Sequence, residues 1–89
     1  MENVEGAIER IKGLECPAGD IKRRVTGILK EYEVANRSEI IVSRDHRLDK
    51  RGARGYNAKI TRDKGFDIAV LAVSGMDDYV VKVIDAYIN

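Results

Sequence analysis

Three kinds of residue in this chain have side chains suited to chemistry: a single histidine, a single cysteine, and a dense run of bases. His46 has Asp45 beside it and Asp49 three positions on, which is the inventory of a small acid-base or metal site. Adjacent strand residues face opposite ways, so Asp45 is poorly placed to orient His46, and one imidazole with two carboxylates in a cationic loop makes a poor cation site. Cys16 stands just before an expected helix N-terminus, a position that favours a thiolate, yet no base is specified beside it. A lone cysteine more often serves as a small buried hydrophobe. No nucleophile, base and orienting group occur together at an interpretable spacing, so no catalytic residue, metal ligand or cofactor is assigned.

The bases are the stronger signal. Residues 44–64 hold eight of the sixteen Lys and Arg residues against three acids, a local net charge of +5 in a chain whose total is +1. The flanking stretches, 1–43 and 65–89, are net acidic. Such polarity speaks to partners more than the overall pI of about 7.8 does. Arg44, Arg47, Lys50, Arg51 and Arg54 precede a strand-like run, and Lys59 and Arg62 extend it. Guanidinium forks match phosphate, and bases within a Debye length of one another, about 8–10 Å, act together on a polyanion. Tyr56 follows Arg54-Gly55, where a ring is placed either to stack on an unpaired base or to join the core with Ala58 and Ile60. Arg47 to Arg54 lie in a loop whose glycines leave their directions open, so a site there is expected to order only on binding. The competing reading of the same charges is a solvated loop that guards a sheet edge.

The elements that must position these residues follow from periodicity. Val4, Ala7, Ile8, Ile11 and Leu14 predict a first helix over about 2–13, broken by Gly13 and Pro17. Asp20 is placed to cap a second helix with face Ile21, Val25, Ile28, Leu29 and Tyr32, stopped near Asn36. Ile40, Ile41 and Val42 predict a strand over about 38–45. Tyr56, Ala58 and Ile60 alternate with Asn57, Lys59 and Thr61 in a second, which Asp63-Lys64-Gly65 turns into a third, Phe66 to Val73, apolar on both faces. Met76, Val80, Val83, Ile84 and Tyr87 recur at helical spacing, and Ser74 with Asp77 suits a capping box, so a third helix is expected to about Ile88. The expected fold is one α+β domain over 1–89, in the order α-α-β-β-β-α: a two-layer sandwich of three or more antiparallel strands, helices mainly on one face.

Two module types share single features with the chain. Gly52-Ala53-Arg54-Gly55 has the spacing of the backbone clamp in KH modules, where it joins two helices; here strands flank it, and it is assigned to loop flexibility with amides open to an anion. The order from residue 20 onward is that of double-stranded-RNA-binding domains, but Asp77 and Asp78 stand where those need bases.

With 44% hydrophobic residues the chain is composed to fold, and no apolar run approaches the roughly 18 residues of a membrane span. One cysteine forbids an internal disulfide. A cytoplasmic location is expected, and the absence of Trp and dense mixed charge suit a heat-tolerant prokaryotic protein. The leading functional expectation is a small non-enzymatic binding protein that holds RNA, DNA or another polyanion. The alternative is an interaction module docking on an acidic protein, and an enzyme using His46 or Cys16 ranks below both.

Overall fold

The computed structural model describes residues 3–75 and 79–89. It is an α+β fold: helix α1 (Val4–Ile11), strand β1 (Glu15–Pro17), helix α2 (Ile21–Glu31), then β2 (Ile40–Arg44), β3 (Arg54–Ile60), β4 (Phe66–Ser74) and β5 (Val80–Ile88). The strands form one sheet in the order β1-β5-β4-β3-β2 with every pairing antiparallel.

Both early helices form where their apolar spacing places them. Val4, Ala7, Ile8 and Ile11 of α1 are buried, as are Ile21, Val25, Ile28 and Leu29 of α2. The two pack closely at Gly6, where a Cβ would come within 3.2 Å of the Tyr32 ring. Gly13, at φ +82°, ends the first helix and directs the chain into β1 beside Val83. Their ends differ from expectation in detail. The Asp20 side chain makes no capping bond and instead meets Arg23 at 2.8 Å. The stop of α2 is Glu33 rather than Asn36: Val34 N–H donates to Leu29 O and Glu33 N–H to Lys30 O, a Schellman motif with Glu33 at φ 58° in the left-handed position usually held by glycine. Asn36 has extended dihedrals and shares a reciprocal capping box with Glu39 around the short turn before β2.

The expected third helix is strand β5, and the sheet has five strands, two beyond the three assigned from the sequence. The observed order is α-β-α-β-β-β-β, with α1 and α2 together on one face in place of a sandwich built on helices two and three. A β-bulge explains why 80–88 reads as helical. Opposite Leu71/Ala72 the register shifts by one, so the buried residues are Val81, Val83 and Ala86, spaced two and then three apart. That spacing imitates a helix face, whereas five β-branched residues among Val80, Val81, Val83, Ile84 and Ile88 favour extended chain. Ser74 closes β4, while its proposed capping partner Asp77, with Met76 and Asp78, lies outside the described residues. Without a final helix the analogy to double-stranded-RNA-binding domains has no basis.

A single hydrophobic cluster fills the space between the helices and the inward faces of the sheet, with Tyr56, Ala58, Ile60, Ile68, Val70, Ala72, Val81 and Val83 supplying the sheet side. β4 is buried from Ile68 to Ala72 without a break, as a strand covered on both faces must be. Its second face, Ala69 and Leu71, is covered by something other than a helix, and that cover is the basic segment.

Candidate polyanion-binding site

Residues 45–53 fold back over the second face of the sheet. Tyr56 points toward the helices, so Gly55 faces the opposite way, and there it lies directly under Leu48. A Cβ on Gly55 would overlap Leu48 Cβ and press on Asp45 O and the Leu48 carbonyl carbon at 2.9 Å. Glycine at 55 therefore serves close packing, not flexibility. Ala53, Ala69 and Leu71 are buried at this face, outside the main cluster.

Two aspartates hold the segment down. Asp49 accepts from Arg44 Nη1 at 2.7 Å and Nη2 at 3.0 Å, a bidentate pair, and from the Gly55 N–H at 2.7 Å; Arg44 Nη1 also donates to Gly55 O at 3.0 Å. The arrangement locks β2, the loop and the start of β3 together. The Arg44 guanidinium and the Gly55 amide hold the Asp49 carboxyl well below its ordinary range, at about 2. Asp45 accepts from the Arg47 backbone N–H at 3.0 Å and from its guanidinium at 3.1 Å, which likewise lowers its pKa and initiates the turn at His46–Leu48. The open, partner-ordered loop expected from the glycines is thus replaced by a folded one.

The clasp divides the eight bases. Arg44 and Arg47 are taken by carboxylates. Lys50 Nζ lies 5.5 Å from the centroid of Tyr87, whose cross-strand partner Ala69 places it on this same face. Lys50 and Ala53 exchange backbone hydrogen bonds at 3.2 and 2.7 Å around Arg51 (φ 45°) and Gly52 (φ +85°), the positive pair of a type I′ turn. Arg51 occupies a position where an L residue is strained and glycine or asparagine is favoured. Arg54 opens β3, exposed; its cross-strand partner Ala72 puts it on the Tyr56 side of the sheet, whereas Lys50 lies on the second face. Among the described residues Lys50, Arg51 and Arg54 form no ion pair, which leaves three bases around the turn without a carboxylate partner there.

The remaining bases are elsewhere. Lys59 is exposed on the second face opposite Asp67, and Arg62 lies past the far end of β3. Six residue steps along that strand separate Arg54 from Ile60, about 20 Å, more than two Debye lengths at physiological salt. One contiguous patch on the sequence is therefore two in space. Tyr56 is 6% exposed, its ring in the core with the Arg44 guanidinium 5.8 Å from its centroid, so it presents no face to a base. No family model, curated protein or solved structure matches the chain.

The other candidates fall out of the site. His46 is exposed, its Nδ1 3.9 Å from Asp49 Oδ2 at the margin of the clasp. Cys16 is buried in β1, and burial pushes its thiol pKa up despite Arg24, which disfavours the thiolate that reactivity needs. Among the described residues no cluster of His, Cys, Asp and Glu is arranged to hold a metal ion, and no helix is long and apolar enough to cross a membrane. Sequence reasoning missed Asp45 and Asp49 as organisers of the loop. The Asp45-x-Arg47 spacing of an Asx turn signals the first; nothing local signals the second, whose partners are five and six residues away.

Proposed function

We propose that this is a small non-enzymatic binding protein that takes RNA, DNA or another polyanion on the turn formed by residues 50–54, with Lys50, Arg51 and Arg54 as phosphate contacts. The observation that carries the reading is Arg51. A bulky cation stands at a left-handed position where glycine costs nothing, between two further bases that have no carboxylate partner among the described residues. Strain retained at an exposed tip has no use in packing, and it fixes the backbone from which the cation projects. Lys59 lies beyond this turn and extends contact only to a long ligand.

Three phosphate contacts give a log-log salt slope of about −2 for a single strand and about −2.7 for a duplex, so affinity falls roughly 20- to 40-fold between 50 and 200 mM salt. Fluorescence titration with labelled RNA and DNA at the two salt concentrations measures it. Arg51→Gly is the decisive variant, because it relieves strain while removing a contact: the fold is expected to hold and the slope to shrink by about one contact. Absence of binding at low salt, or unaltered binding by Arg51→Gly combined with Arg54→Ala, would sink the reading.

A further inference from the structure

The opposite end of the sheet carries a second feature that the polyanion reading does not use. A groove of about 780 Å³ opens between the start of α1, the end of α2 and the turn joining β3 to β4, a size within the range of small-molecule sites. Its floor is apolar: Val4 and Val34 belong to the core, Phe66 packs against it, and Ile88 is 57% exposed. Glu5 and Glu33 line the helix side, while Arg62 and Lys64 line the turn side together with Asp63. Among the described residues Glu5, Glu33, Arg62 and Lys64 form no ion pair.

The rim selects a ligand class. A purely anionic molecule entering the groove meets Glu5 and Glu33, and a purely cationic one meets Arg62 and Lys64. A molecule with an ammonium at one end, a carboxylate at the other and an apolar body between satisfies both walls and covers the floor. Glu33 adds an independent reason. It holds the left-handed position of a Schellman motif, where glycine closes a helix without strain, yet a carboxylate is kept there at the edge of the groove. We infer that this groove binds a small apolar zwitterion, its ammonium on Glu33 and Glu5 and its carboxylate on Arg62 and Lys64. A short apolar peptide with free termini has this chemistry; a free α-amino acid, whose two charges share one carbon, does not reach both walls.

Chemical-shift mapping on the labelled full chain tests it with phenylalanine, Leu-Leu, N-acetyl-Leu-Leu and Leu-Leu amide as probes. The expected result is saturable movement of the Val34, Gly65, Phe66 and Ile88 amides with Leu-Leu. Phenylalanine, with both charges on one carbon, is expected to bind at least about ten-fold more weakly. Blocking either end is expected to weaken binding at least about ten-fold, as each removes a charged contact. Glu33→Gly should leave the melting temperature equal or higher while reducing Leu-Leu to the affinity of its N-acetyl form, and Arg62→Gln should reduce it to that of the amide. No saturable shift with any free form, blocked forms that bind as well as free ones, or shifts confined to residues 50–54 would overturn the inference. None of these outcomes bears on polyanion binding, which is read separately by salt dependence.

Discussion

The two ends of β3 draw on the same residue types, bases with an aspartate and glycines, and are built in opposite ways. At residues 44–55 aspartates pair with Arg44 and Arg47, a glycine admits Leu48 onto the sheet, and Lys50, Arg51 and Arg54 have no ion pair among the described residues. At residues 61–65 Asp63 (φ 56°) and Gly65 (φ +78°) shape a short connection, and Arg62 and Lys64, without an ion pair among the described residues, stand across a groove from Glu5 and Glu33. The lesson is that a count of charges does not predict a field. Of five bases at one end two are paired with carboxylates, and two at the other face opposing acids.

The sharpest way to break this comparison is Gly55→Ala. If residues 45–53 are packed on the sheet, the added methyl meets backbone on two sides and the cover must lift, at a cost of about 3 kcal/mol in urea unfolding. A floppy loop would absorb the change with almost none. Asp49→Asn should cost less, because the amide oxygen can still accept from the Gly55 N–H, but it removes the charge that holds Arg44. The pH dependence has a definite sign. Asp49 titrates at about 2 in the folded protein, against about 3.9 for a free side chain. Its contribution is therefore fully present above about pH 4 and is lost as pH falls toward 2. The Gly55 amide shift should report a midpoint near 2, and Asp49→Asn should abolish that titration.

Smaller effects sharpen the contrast between the ends. Gly65→Ala places a Cβ 3.1 Å from Ile60 O at positive φ, without the pile-up found at Gly55, and is expected to cost about 1 kcal/mol. Arg51→Gly should move stability the other way, by up to about 1 kcal/mol, since relieved strain is partly offset by the added freedom of the unfolded chain. A loss of stability in that variant would mean that the Arg51 side chain packs rather than projects.

Local signals are sufficient for α1, α2 and the β3-β4 hairpin because the helices and β3 each keep one unbroken apolar period, β4 is a continuous apolar run, and Asp63-Lys64-Gly65 has the turn chemistry its backbone requires. The same logic failed at 80–88, where one bulge residue changed the phase and made a strand spell a helix. It failed again at Arg44 and Arg47, which read as free cations because their partners are set by how the loop closes. At a strand end Tyr56 is open to two fates on sequence grounds, and packing against the helices decides between them.

By itself, then, the sequence determined the α+β class, the two early helices, the central hairpin and the concentration of bases between 44 and 64, all of which depend on residue type and near-neighbour spacing. The tertiary structure alone decided that β5 is a strand, that the basic segment covers a sheet face, and which bases remain uncompensated. Those outcomes rest on contacts between residues distant along the chain or facing one another across strands, where hydrogen-bond geometry and close packing outweigh any local preference.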